Sequence, residues 1–291
     1  MEQIFLQPRA KINVALDITG KRADGFHELD TVMVSVGIYD GLLIKKSRTK
    51  AVSLTTDDPL TPPDGRNLVY KAALYMIERF GAGGVDIELN KNIPISAGLG
   101  GGSADCAAAL TGVRDLYGLP VTDDELQKLS VRFGADVPFC VKGGTARARG
   151  VGEILTPLPP HPRVCVLIAR PPVYVSTAEV FGAYDAYDAC DTCETRNSRP
   201  DVEAVEDGII KNDLRLVASG VGNVLEPVTA KKYPLITRVK DVMKYYGALA
   251  ASMTGSGPCV FGYFINETVA RAAAEELREN FGIKYFFITN I

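Results

Sequence analysis

With 291 residues, 46% of them hydrophobic and 23% charged, the chain is sized and composed like one large globular domain or two ordinary ones. Its net charge of −3 argues against generic binding to nucleic acid or to an anionic membrane surface. No apolar run approaches the ~20 residues needed to cross a bilayer, and Met1-Glu2-Gln3-Ile4 lacks the basic start of a secretory signal, so a cytoplasmic location is expected.

In chain order, residues 10–18 alternate as a strand, placing Lys11 and Asn13 on one face and Ile12, Val14 and Leu16 on the other. A polar loop is expected over 19–29, then strands over 31–38 and 41–45 joined by a turn at Tyr39-Asp40-Gly41. Residues 57–66 form a Pro- and Gly-bearing turn, and Asn67 is placed to cap a helix over 68–80. Val85-Asp86-Ile87-Glu88-Leu89 reads as a half-buried strand, and residues 104–117 as an alanine-rich helix ending at Gly118. Thr122-Asp123-Asp124-Glu125 has the form of a capping box, so a helix is expected from Asp123 to about Phe133, broken by Gly134-Ala135-Asp136-Val137-Pro138-Phe139.

Gly143-Gly144 turns the chain into a strand-like stretch. Leu158-Pro159-Pro160-His161-Pro162 reads as a linker, giving two lobes, 1–157 and 158–291. In the second, strands are expected over 164–169, 259–264 and 284–289. Helices are expected over 176–187, 212–225, 235–246 and 268–281, with a polar loop over 188–207. Strands recur between helices in both halves, so the class is α/β or α+β. Of the six cysteines, Cys190 and Cys193 form a lone C-x-x-C without the further ligands a zinc site needs.

One stretch dominates: Pro94-Ile95-Ser96-Ala97-Gly98-Leu99-Gly100-Gly101-Gly102-Ser103, with four glycines in five positions between a strand and a helix. Glycine permits turns at positive φ and close approach of a ligand to the main chain. The first N–H groups of the following helix lack internal partners, which suits phosphate. No Lys follows as in a P-loop, and Ser103 stands where a dinucleotide fingerprint needs its last glycine. The plainer reading is a tight turn joining strand to helix.

That loop, Pro8-Arg9-Ala10-Lys11-Ile12-Asn13 near the start and Thr254-Gly255-Ser256-Gly257 near the end together resemble the GHMP superfamily of small-molecule kinases. Arg22-Ala23-Asp24-Gly25-Phe26-His27, Gly134-Ala135-Asp136-Val137-Pro138-Phe139 and Gly150-Val151-Gly152-Glu153 resemble more closely its 4-diphosphocytidyl-2-C-methyl-D-erythritol kinase family, from about residue 7 to the C-terminus. The resemblance implies an α+β, two-lobed fold: an N-terminal ribosomal-protein-S5-domain-2-like lobe holding ATP and a C-terminal ferredoxin-like α/β sandwich lobe. It implies ATP-dependent phosphorylation, assisted by Mg²⁺, of a cytidine-diphosphate-linked methylerythritol.

By motif, the resemblance makes Asp136 the base toward the acceptor hydroxyl and Lys11 its cationic partner. It puts Pro94, Gly98, Leu99, Gly100, Gly101, Gly102 and Ser103 on the ATP phosphates, and Asn67 and Lys91 near its adenine and ribose. Ser103 is also the residue expected to help hold Mg²⁺. Phe26 and Phe181 would clamp a cytosine whose edge His27 reads, and Asn13, Thr177, Gly255 and Gly257 would meet the substrate. Phe26 stands where many relatives have Tyr, which preserves stacking but not a hydroxyl. Two other readings remain open from sequence: a homoserine- or phosphomevalonate-type kinase, and a nucleotide-binding protein without catalysis.

Overall fold

The computed structural model describes residues 1–188 and 199–291, so Cys190 and Cys193 lie outside the described residues. The chain opens with β1 (Gln3–Leu6), β2 (Arg9–Lys21), β3 (His27–Tyr39), β4 (Gly41–Lys46) and β5 (Val52–Thr56). β2 and β3 extend into the expected polar loop and shorten it to residues 22–26. β1 and β5 are not among the expected strands. Both are short edge strands, of four and five residues, and β5 alternates with Val52 and Leu54 buried.

α1 (Leu68–Phe80) starts where Asn67 accepts the Val69 N–H and stops at left-handed Gly81. β6 (Val85–Asn90) leads to the Gly-rich loop, and α2 (Gly101–Tyr117) begins three residues before the expected 104. α3 (Asp123–Ser130) carries the capping box, formed in both directions between Thr122 and Glu125, and tightens into a 3₁₀ turn over Val131–Phe133. The expected break falls at residues 134–136, and a new helix, α4 (Val137–Lys142), starts directly after it. Pro138 falls in its first turn, where the missing N–H loses no helical bond.

β7 (Thr145–Gly150) and β8 (Ile154–Pro157) follow, then β9 (Cys165–Arg170), α5 (Thr177–Asp188), α6 (Val202–Ile210), α7 (Leu214–Gly220), β10 (Gly222–Asn223) and α8 (Glu226–Lys232). α9 (Leu235–Tyr245), β11 (Ala250–Met253), β12 (Val260–Phe264), α10 (Glu267–Phe281) and β13 (Tyr285–Asn290) complete the chain. α6 begins inside the expected polar loop, its first turn capped by Asp201. The expected helix over 212–225 divides into α7 and β10. A Cβ at Gly220 would lie 2.3 Å from the Asp201 carbonyl oxygen, so the chain passes too close there for any larger residue. The expected linker is packed structure: Leu158 N–H donates to Thr145 O, and buried His161 bonds Pro162 O and the Tyr263 hydroxyl.

The chain forms two compact units that interleave in sequence rather than dividing at 157. One comprises residues 1–10, 38–95 and 100–143; the other comprises 11–37, 96–99 and 144–291. The division follows strand pairing: β7 hydrogen-bonds to β3, so residues after 144 join the sheet begun by β2 and β3.

In the first unit the sheet order is β1-β4-β6-β5, and β5 runs parallel to β6. Val85, Ile87 and Leu89 of β6 turn inward while Asp86, Glu88 and Asn90 are exposed. The inward residues join Leu42, Ile44, Met76 and the alanines of α2 in one core. A Cβ at Gly112 would lie 2.5 Å from Ile44 Cδ1 and 2.6 Å from Leu6 Cδ1. That close seating of α2 on the sheet explains a mid-helix glycine that costs about 1 kcal/mol relative to Ala.

The second unit contains a five-stranded sheet, β10-β2-β3-β7-β8, and a four-stranded antiparallel sheet, β11-β12-β9-β13. Leu167, Ala169, Val260 and Phe264 pack with Val239 and Met243 of α9 and with Ala270, Ala273 and Leu277 of α10. Strands and helices are mixed in both units, an α+β arrangement.

Candidate active site

In the first unit several candidate residues lie where β6 leaves the sheet and α2 begins. Gly100 sits at φ 68° before α2, and no side chain caps the helix. The first intrahelical bond is from Ala104 N–H to Gly100 O, so the N–H groups of Gly101, Gly102 and Ser103 lie ahead of the helical ladder. Gly101 and Gly102 are helical rather than left-handed; they differ in their surroundings. A Cβ at Gly101 would lie 2.8 Å from Ile93 Cγ2, whereas one at Gly102 meets nothing within 4 Å. Gly102 thus presents bare, exposed main chain at a positive helix end.

Beside it lies a buried ionic triad. Lys91 Nζ bonds Asp105 Oδ2 at 2.6 Å and also Asp40 Oδ2, and all three side chains are nearly inaccessible. Asp40 Oδ1 accepts the N–H groups of Asn92 at 2.5 Å and Ile93 at 2.7 Å. Burial pushes the Asp105 carboxyl up, opposed by Lys91 and reinforced by Asp40. Burial works against the charge on Lys91, but its two carboxylates outweigh this and hold its pKa above the ordinary value. The Lys91 ammonium is therefore committed to Asp40 and Asp105 rather than presented to solvent.

Asn67 is similarly engaged: its Oδ1 caps α1 and its Nδ2 donates to Pro62 O. Asp136 stands at the start of α4, half-buried, in the helical region and not capping the helix with its side chain.

In the second unit a polar cluster joins β2 to the turn after β11. Buried Lys11 donates from Nζ to Asn13 Oδ1 at 2.7 Å, and its N–H donates to Leu99 O at 2.9 Å. Asn13 N–H donates to Thr254 Oγ1 at 2.9 Å, and Asn13 Nδ2 to Thr31 Oγ1 at 3.0 Å. Gly98, at φ 77°, packs so closely that a Cβ would fall 2.2 Å from Thr254 O. A Cβ on Gly255 would lie 3.3 Å from Gly98 Cα and 3.6 Å from Asn13 Oδ1. Thr177 Oγ1 lies 2.8 Å from Ser256 Oγ, which ties the start of α5 to the same turn. Gly257 has φ 90° in that turn. Lys11, Asn13, Gly98, Thr177 and Gly255 are thus brought together.

At the start of β3 is an aromatic group. Phe26 is 62% exposed, an unusual placement for a large apolar side chain. His27 is buried, its ring centroid 5.0 Å from that of Phe181 and edge-on to Tyr184. Its Nε2 lies 2.7 Å from Asp185 Oδ1, and Lys21 Nζ holds Asp185 Oδ2 at 2.7 Å. The hydrogen bond from Lys21 and then that from His27 keep the Asp185 carboxyl below its ordinary range. Phe181 therefore packs on His27 and on the core of this unit.

Asp40, Thr31, Asn223 and Asp185 were not singled out by sequence reasoning. Asn223 Nδ2 donates to both Met253 O and Gly255 O at 2.8 Å and fixes the turn that carries Gly255. None has a local signature: Asp185 is 158 residues from His27, and Asp40 is 51 from Lys91. Asp105 was not singled out either, although its place one turn into the helix after the glycines is a local signal.

Among the described residues no helix is long and apolar enough to cross a membrane. The family models for the GHMP kinases N-terminal domain and the GHMP kinases C-terminal part match residues 67–144 and 205–283. The chain is 45% identical over 276 residues to a 4-diphosphocytidyl-2-C-methyl-D-erythritol kinase from Caldicellulosiruptor saccharolyticus, covering 94% of this chain and 93% of that one. A crystal structure of 4-(cytidine 5'-diphospho)-2C-methyl-D-erythritol kinase superposes with a TM-score of 0.81 at 32% identity, covering 99% of this chain and 98% of the other. A homoserine kinase from Cytophaga hutchinsonii shares the fold, with a TM-score of 0.79 at 23% identity and coverage of 99% and 95%. Glycine loop, two matched domains and near full-length similarity converge: the chain belongs to the GHMP kinases, ATP-dependent small-molecule kinases, and within them to the 4-diphosphocytidyl-2-C-methyl-D-erythritol kinase family.

Proposed function

We propose that this enzyme transfers the γ-phosphoryl group of ATP to the 2-hydroxyl of 4-diphosphocytidyl-2-C-methyl-D-erythritol, a step in building isoprenoid precursors by the non-mevalonate route. The observation that carries the reading is 45% identity along 94% of the chain to a kinase named for that substrate, against 23% to the homoserine kinase of the same fold.

Phosphoryl transfer asks a protein mainly to position groups and offset charge. The N–H groups of Gly101, Gly102 and Ser103 at the α2 terminus are suited to the phosphate oxygens. Pro94, Gly98, Leu99 and Gly100 shape the loop that leads there. Asn67 and Lys91, with their side chains already engaged, support the ATP site through the segments they hold. Asp136 accepts the proton of the acceptor hydroxyl, and Lys11 offsets charge on the transferring group.

Mg²⁺ would offset the phosphate charge. Among the described residues no group of three or more His, Cys, Asp or Glu side chains is arranged to hold a metal. Phosphate oxygens and water would supply most of its ligands, as Mg²⁺ commonly prefers, with the Ser103 hydroxyl as a contribution from the protein.

The cytidyl group belongs with Phe26, His27 and Phe181. A flat base covers the exposed Phe26 ring, and His27, held by Asp185, reads its edge. Asn13, Thr177, Gly255 and Gly257 serve the rest of the acceptor. The working location is the cytoplasm.

The test is direct. The purified protein is incubated with ATP, Mg²⁺ and, separately, the cytidyl substrate, homoserine and phosphomevalonate, and phosphorylated products are followed by phosphorus NMR. Turnover confined to the cytidyl substrate supports the reading. Turnover of another acceptor refutes the substrate, and ATP binding without any turnover refutes the catalysis.

A further inference from the structure

The glycine loop begins and ends within reach of one buried carboxylate. Asp40 Oδ1 takes the Asn92 and Ile93 N–H groups, the last two before Pro94. Ile93 in turn packs against the first residue of α2, since a Cβ on Gly101 would lie 2.8 Å from Ile93 Cγ2. Asp40 Oδ2 holds the Lys91 ammonium, whose other bond, at 2.6 Å, goes to Asp105 Oδ2 on α2. Asp40 thus fixes the entry of the loop through two main-chain bonds and its exit through Lys91 and Asp105. Asp40 is 2% exposed, and its hydrogen bonds join residues that no short-range element would hold together. We propose that Asp40 is a positioning residue for phosphoryl transfer: it clamps both ends of the 94–100 loop so that the α2 terminus is set for the ATP phosphates before ATP arrives. Preorganisation of this kind lowers the ordering cost of binding. The inference rests on the assignment of this loop to ATP.

Asp40→Asn keeps an oxygen for the main-chain bonds but turns an amide toward the Lys91 ammonium. The expected result is a rise of roughly tenfold in KM for ATP, with KM for the cytidyl substrate within about twofold and kcat at saturating ATP within about threefold, a loss partly recovered in Asp40→Glu. Equal losses for both substrates, or no change for ATP in a folded variant, would overturn the proposal. Hydrogen exchange on the unaltered enzyme provides a measure independent of folding. The Asn92 and Ile93 amides should be as protected as those of β6 before ATP is added; protection that develops only with ATP overturns it. Gly102→Val, assayed in parallel, separates the two ideas. If it leaves KM for ATP unchanged, the loop is not the ATP site; if it raises KM for ATP while Asp40→Asn is silent, only the clamp fails.

Discussion

The neighbouring glycines Gly101 and Gly102 separate a folding effect from a binding effect within one turn of helix. A side chain at Gly102 enters open space, with no atom within 4 Å of its Cβ, and the residue is already helical. Replacing glycine there by valine should preserve stability or raise it by a few tenths of a kcal/mol, the difference in helix propensity. The same branched side chain stands over the N–H groups assigned to phosphate. Loss of one hydrogen bond to a charged group is worth about 1.5–3 kcal/mol, or roughly ten- to 150-fold in KM for ATP. Gly101→Val is the contrasting case. Its Cβ would lie 2.8 Å from Ile93 Cγ2 and 3.1 Å from Ile93 Cβ, an overlap with a buried side chain that costs about 1–3 kcal/mol of stability. Thermal melts by circular dichroism and initial-rate kinetics with each substrate varied in turn distinguish the two. A Gly102→Val enzyme with normal Tm and normal KM for ATP would refute the argument, because nothing else in the structure opposes that side chain.

Asp136→Asn should retain binding of ATP and of cytidine diphosphate by calorimetry while turnover falls by roughly 10²–10⁴-fold, the usual contribution of a general base; near-normal kcat would remove Asp136 from that role. Phe26→Ala should raise KM for the cytidyl substrate by about 1–3 kcal/mol, roughly five- to 150-fold, and spare KM for ATP. Phe26 is the cleaner probe than Phe181, which also packs on the core, so an unchanged cytidyl KM would discard the stacking assignment. Asp105 supplies a pH prediction. Its carboxyl is raised by burial from 3.8 to about 7, so the folded chain holds a proton that the unfolded chain releases across that interval. Stability should therefore fall as pH rises through this window. Asp105→Asn should flatten the trend in urea midpoints between about pH 4 and about pH 7; an unchanged slope would assign the dependence to other groups.

Much of this protein is written locally. The Asn67 cap, the Thr122–Glu125 capping box and the glycines at 81 and 118 place helix ends because each acts on N–H or C=O groups within a few residues. The alternation of β6 sorts its own faces. The run 98–103 announces a main-chain anion site, since glycine content and the following helix are adjacent in the chain. Where local signals were read alone they also misled. Leu158 to Pro162 suggests a linker yet is bonded to Thr145 and Tyr263.

The tertiary structure decided what depends on distant partners. A carboxylate buried against a lysine and one exposed on a turn are the same letter in sequence; only folding brings Asp40 to Lys91 and Asp185 to His27. Burial then changes the chemistry, because desolvation and a nearby charge move a carboxyl that the sequence alone would leave at its ordinary value. The interleaving of the two units has the same origin. Strand pairing between β3 and β7 is a hydrogen-bond register between segments more than 100 residues apart, with Leu29 opposite Gly150 and Val34 opposite Thr145. Composition and periodicity specify that such strands exist and which faces they bury, while the identity of the neighbour is settled only when all the strands compete for the same edges.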